Sequence, residues 1–80
     1  MDFGKAIKAL KEGKKVARAG WNGKGMYLYL ADGNFLTEEI GDGSYPFTDT
    51  VVMKTADNKY CIGWLASQTD MLAEDWEVIE

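Results

Sequence analysis

The fold is decided by residues 64–76, Trp64-Leu65-Ala66-Ser67-Gln68-Thr69-Asp70-Met71-Leu72-Ala73-Glu74-Asp75-Trp76, where two indoles bracket a polar run. Ser67 and Asp70 have the spacing of a capping box, in which each side chain satisfies a backbone N–H that the first helical turn leaves unpaired. The spacing predicts a short helix from Gln68 to Ala73. About two turns of helix do not persist alone in water, so Met71, Leu72 and the flanking tryptophans must hold it to the rest of the domain. Trp76-Glu77-Val78-Ile79 then alternates as a closing strand does. The helix start combines free N–H groups, the side chains of Ser67, Gln68 and Thr69, and a nearby indole. That combination suits a polar, ring-containing small molecule, and it also reads as a capped connector between two strands.

Working outward, Thr50–Thr55 is β-branched and strand-like, and Asp57-Asn58 reads as a two-residue turn into Tyr60–Trp64, which completes a hairpin. Cys61 falls inside that strand and reads as a buried structural thiol. The clearest strand is Met26–Leu30, with Met26, Leu28 and Leu30 on one face and Tyr27 and Tyr29 on the other. Ala31-Asp32-Gly33-Asn34 turns the chain and Phe35-Leu36 begins a short return segment. A long loop from Thr37 to Asp49 follows, holding the only proline, Pro46. It reads as a surface excursion, a lid or an intersubunit clasp.

At the other end, Asp2 caps a helix over Phe3–Glu12 whose apolar stripe is Phe3, Ala6, Ile7 and Leu10, and Gly13 closes it. Lys5, Lys8 and Lys11 lie largely opposite that stripe, on a solvated face. Lys15–Arg18 alternates as a half-buried strand and ends in the glycine-rich loop Ala19–Gly25. There Trp21, Asn22 and Lys24 supply a stacking face, an amide and a charge. The same loop reads as a hairpin turn with Trp21 folded onto the core. The spacing of a phosphate-binding nucleotide-hydrolase loop is absent. The expected architecture is one α+β domain over residues 1–80. Its mostly antiparallel sheet has about five strands, with the N-terminal amphipathic helix on one face and a short helix before the last strand.

Nine Lys and Arg against thirteen Asp and Glu give a net charge of −4, which opposes binding to DNA, RNA or an anionic membrane surface. No apolar run approaches the roughly 20 residues needed to span a bilayer, so the expected location is a cytoplasm. One cysteine and no histidine exclude an intrachain disulfide and the usual zinc ligand sets. For a chain this short, oligomerisation is the remaining way to supplement the core. Acid–base chemistry would fall to carboxylates such as Asp49, Asp70, Glu74 or Asp75, and no pair or triad among them can be singled out. No catalytic residue, metal ligand or cofactor is therefore predicted. Aromatic residues beside glycines and small polar groups suit stacking on a base, where each stack contributes about 1–3 kcal/mol in nucleic-acid complexes.

Taken together, Asp2-Phe3-Gly4-Lys5-Ala6, Lys15–Met26 and Trp64–Trp76 resemble a small family of phage and prophage proteins that includes the type-two Thoeris anti-defence proteins. The resemblance covers nearly the whole chain and is weakest over Thr37–Asp49. It implies a sponge: a homo-oligomer, tetrameric in described members, that sequesters the cyclic ADP-ribose variants of bacterial Thoeris systems without cleaving them. It acts in the cytoplasm of the bacterial host. Some relatives also bind cyclic di- or trinucleotides at separate pockets, and family pockets lie between protomers. Carried onto this chain, Trp21 is the stacking wall with Asn22 beside it, and Ser67, Gln68, Thr69 and Asp70 are the polar contacts. Trp64 is a second wall or a core indole, Trp76 belongs to the core, and Arg18 or Lys24 answers the pyrophosphate charge. Two other classes stay open: a phage structural or protein-interaction module using its aromatic face, and a phosphodiesterase-like enzyme.

Overall fold

The computed structural model describes residues 1–79. Its elements are α1 (Phe3–Lys11), β1 (Lys15–Arg18), β2 (Tyr27–Ala31), α2 (Gly33–Ile40), β3 (Thr50–Lys54), β4 (Tyr60–Ile62), α3 (Gln68–Leu72) and β5 (Trp76–Ile79). The five strands form one antiparallel sheet in the order β4-β3-β2-β1-β5. The closing strand thus pairs with β1 and forms an edge, with Arg18 opposite Trp76 and Val16 opposite Val78.

The period-two alternation of the strands divides the side chains between two faces. Ala6, Ala9 and Leu10 of α1 pack on Val16, Leu28 and Trp76, and Leu30, Val51 and Met53 extend this core along the same face. Val16 and Leu28 are fully buried, each burial contributing about 1.5–3 kcal/mol. α1 starts where expected because the Asp2 carboxylate accepts the Lys5 N–H at 2.8 Å. On the opposite face Leu36 of α2 packs on Ala31 and Val52, with Tyr29 alongside.

Five local expectations are corrected. Asp32-Gly33-Asn34 is not a turn into a return segment and Thr37–Asp49 is not all loop: Asp32 accepts the Asn34 N–H at 2.8 Å and caps α2, leaving residues 41–49 as the connection to β3. Only glycine fits at the head of that helix, because a Cβ at residue 33 would run into the backbone of Phe47, Thr48 and Asp49. The β3–β4 connection is one residue longer than read. Thr55 N–H donates to Lys59 C=O at 2.8 Å, and Asn58 takes φ 64°, the left-handed residue that ends a three-residue hairpin loop. Cys61 is exposed, because β4 is a three-residue edge strand with all its residues exposed. Met26 lies just before β2 rather than within it.

Candidate functional site

Where β5 joins β1, two of the three stretches that carried the resemblance, Lys15–Met26 and Trp64–Trp76, meet. Trp76 is 2% exposed, and its indole Nε1–H donates to the Asp70 carbonyl at 2.9 Å, which ties α3 to the core. Trp21 and Trp64, both half-buried, stand edge-on to Trp76 at ring-centroid distances of 5.5 and 6.3 Å and to each other at 6.5 Å. Phe3 of α1 closes the far side of Trp76 at 5.4 Å. Edge-to-face contacts of this kind suit the ring quadrupoles.

That start is the expected capping box. The Ser67 hydroxyl accepts the Asp70 N–H at 3.1 Å, and the Asp70 carboxylate accepts both the Ser67 N–H at 3.1 Å and its hydroxyl at 2.9 Å. Gln68 and Thr69, in the first turn, are exposed. α3 has no fully buried residue, so its position depends on these polar anchors more than on packing.

Arg18 supplies the strongest of them. Its NH1 group donates to Asp70 at 3.0 Å and its Nε to Asp75 at 2.9 Å, from a side chain only 16% exposed. The second Asp75 oxygen accepts the Gly20 N–H at 2.8 Å, and the Asp75 carbonyl accepts the Ala19 N–H at 3.0 Å. One cation and two carboxylates therefore lock the Trp21 loop, α3 and the entry to β5 together. Hydrogen bonds to Asp75 and Asp70 raise the guanidinium above its ordinary range against its desolvation. The Arg18 hydrogen bond holds the Asp75 carboxyl below the usual carboxylate range. For Asp70, burial pushes upward, but hydrogen bonds from Ser67, Arg18 and the Trp21 side chain outweigh it and leave the carboxyl lowered.

Residues 1–79 match the sequence model of the Thoeris anti-defense 2-like domain. The chain belongs to that family. Thoeris anti-defense 2 of Bacillus phage SP01 is 45% identical over 85 aligned residues, covering 99% of this chain and 94% of that protein. Membership of the Thoeris anti-defense 2-like family supports an anti-defence role.

Of the residues expected at the site of this family member, the structure brings Arg18, Trp21, Trp64, Ser67 and Asp70 into one cluster, with Gln68 and Thr69 on its rim. Asn22 and Lys24 stand exposed on the loop after Trp21. Arg18 is already engaged by two carboxylates, whereas Lys24 is in none of the ion pairs among the described residues. Sequence reasoning missed Asp75 as the organiser of the Trp21 loop. Its 57-residue separation from Arg18 leaves no local signal. Three concavities of about 350–370 Å³ lie elsewhere, so the Trp21–Trp64 rim is not part of any of them. Among the described residues no group of three metal-ligating side chains converges, and no helix is long and apolar enough to cross a membrane.

Proposed function

We propose that this chain is a phage anti-defence sponge in the cytoplasm of the bacterial host. It binds and holds, without cleaving, a cyclic nucleotide-type immune signal, glyco-cyclic ADP-ribose first and cyclic di- or trinucleotides second. The observation that carries the reading is the pair of half-buried indoles, Trp21 and Trp64, standing 6.5 Å apart beside the Ser67-capped start of α3 in a chain of this family. Trp21 is the stacking wall, Trp64 the second wall, and Gln68 and Thr69 the polar contacts to ring or ribose hydroxyls. Lys24, rather than the occupied Arg18, answers the pyrophosphate charge, with Asn22 beside it.

A noncatalytic role fits the side chains present. The carboxylates at the site, Asp70 and Asp75, are held ionised by Arg18 and by N–H donors, which makes them poor proton acceptors for catalysis. Mass action then suffices as mechanism: protein in excess of signal, with slow release, keeps the free signal below the level the effector needs.

The reading includes a homo-oligomer, a tetramer of this chain. Leu65 and Leu72, 87% and 76% exposed beside the tryptophans, favour a second copy against this rim, where it would close the side of the site that the single chain leaves open.

The test is thermal stabilisation of the purified protein by glyco-cyclic ADP-ribose isomers and a panel of cyclic di- and trinucleotides, followed by heat release and identification of the bound molecule. A ligand of the native state raises the melting temperature by linkage. Intact ligand recovered, with the shift lost in Trp21→Ala, is the expected result. A cleaved product would make the protein an enzyme. No shift with any of these ligands would refute the sponge and direct attention to a protein partner.

A further inference from the structure

The sheet face opposite α1 is only half covered. Leu36 of α2 packs over the Ala31 and Val52 end, while the other end carries Tyr27, Lys54 and Tyr60, which the strand register places side by side across β2, β3 and β4. Tyr60 is 65% exposed and Ile62, next to it on the same face, 58%. Lys15 and Lys54 bring their ammonium groups to 4.7 and 5.9 Å from the Tyr27 ring centroid, so this open end is aromatic and basic.

α2 has the opposite character. Its exposed side presents Phe35, 60% exposed, with Glu39 one turn further on, and Glu38 beside it. Both glutamates lie in the last turn, which has no basic residue, although a helix C-terminus disfavours anions. A local conflict of this kind is expected where a partner supplies the missing cations.

We propose that this face is an interface between two copies of the chain, with α2 of each copy seated on the open Tyr27–Lys54–Tyr60 row of the other. A two-fold axis running across the strands makes the contact twice. Phe35 meets the tyrosines, and Glu38 and Glu39 meet Lys15 and Lys54, as a self-complementary surface requires. Each exposed sheet half thereby receives a helix cover, the arrangement α1 already provides on the other face. The inference rests on the tetramer reading, since a closed assembly of four with dihedral symmetry needs a second self-complementary surface besides the tryptophan rim.

The experiment is the solution mass of the full chain by light scattering coupled to size exclusion, with far-UV circular dichroism as the check on folding. Compared with wild type are Lys15→Glu with Lys54→Glu, Glu38→Lys with Glu39→Lys, all four together, and the single change Phe35→Ser. Wild type is expected to run as a tetramer, each charge-reversed pair and Phe35→Ser to fall to half that mass, and the fourfold variant to regain it. Folded variants that keep the wild-type mass would overturn this surface while leaving the oligomer reading intact. A wild type that is itself a monomer would overturn both. Loss of mass without recovery in the fourfold variant would overturn the charge pairing on which the surface is argued.

Discussion

Replacing Ser67 by alanine removes the hydroxyl half of the reciprocal cap, because the hydroxyl accepts the Asp70 N–H and donates to its carboxylate, while the bond from the residue 67 backbone N–H to that carboxylate remains. Loss of a serine N-cap costs about 1 kcal/mol, within a range of about 0.5–2. Where that cost appears depends on packing. α3 has five residues and none is fully buried, whereas the sheet beneath it holds Val16, Leu28 and Val52 at 1% exposure or less. Opening α3 therefore exposes little and need not disturb the strands, so the change belongs to a local equilibrium. Native-state hydrogen exchange should report it. The Met71 N–H, bonded to the Ser67 carbonyl at 2.9 Å, should exchange about fivefold faster, the factor that 1 kcal/mol implies. The amides of Leu28, Tyr29 and Val52 should be unchanged. If signal binding requires the closed helix, affinity falls by no more than the same factor. Equal acceleration in α3 and the strands, or none at Met71, would refute the view that α3 is held by polar anchors on a separately stable sheet.

Trp21→Ala should abolish ligand-induced stabilisation while the unliganded protein stays folded, since the core indole is Trp76; urea titration and thermal shift of the same sample check both halves. Asp70 and Asp75 have lowered folded-state pKa values, so the stability they contribute is fully present above the unfolded carboxylate range near pH 4 and is lost as pH falls through the folded values. The urea midpoint should therefore hold from neutral pH to about 4 and drop below it, with a shallower drop in Asp75→Asn. Gly33→Ala should destabilise by about 1–3 kcal/mol, the cost of overpacking against atoms that cannot swing away, here the Phe47–Asp49 backbone, measured as a lowered urea midpoint. Cys61 should react with a maleimide in the native protein as fast as after denaturation, a result incompatible with a buried thiol.

The parts of the fold legible in the sequence are those whose signals are local. The Asp2 and Ser67 caps mark α1 and α3, and the alternation of Tyr27–Leu30 marks the central strand. α2 escaped because Asp32-Gly33-Asn34 has the composition of a turn, and because only Gly33 and Leu36 of its eight residues are buried, too few to show a helical period. Cys61 misled because an apolar strand looks the same whether central or at an edge, and edge position follows from topology. The site was legible by residue type at Trp21, Trp64 and the capping box. Its organising ion pairs were not, because Arg18 meets Asp70 and Asp75 only after β5 docks on β1 from 52 and 57 residues away.

All three tryptophans meet where β1 and β5 join, whereas Tyr27, Tyr29 and Tyr60 cluster on the other side of the sheet. The molecule thus carries its own optical reporter for one side of the sheet. Indole emission follows the docking of the last strand and whatever lands beside it. A denaturation or titration recorded in that channel reads the β1–β5 seam, with no label added.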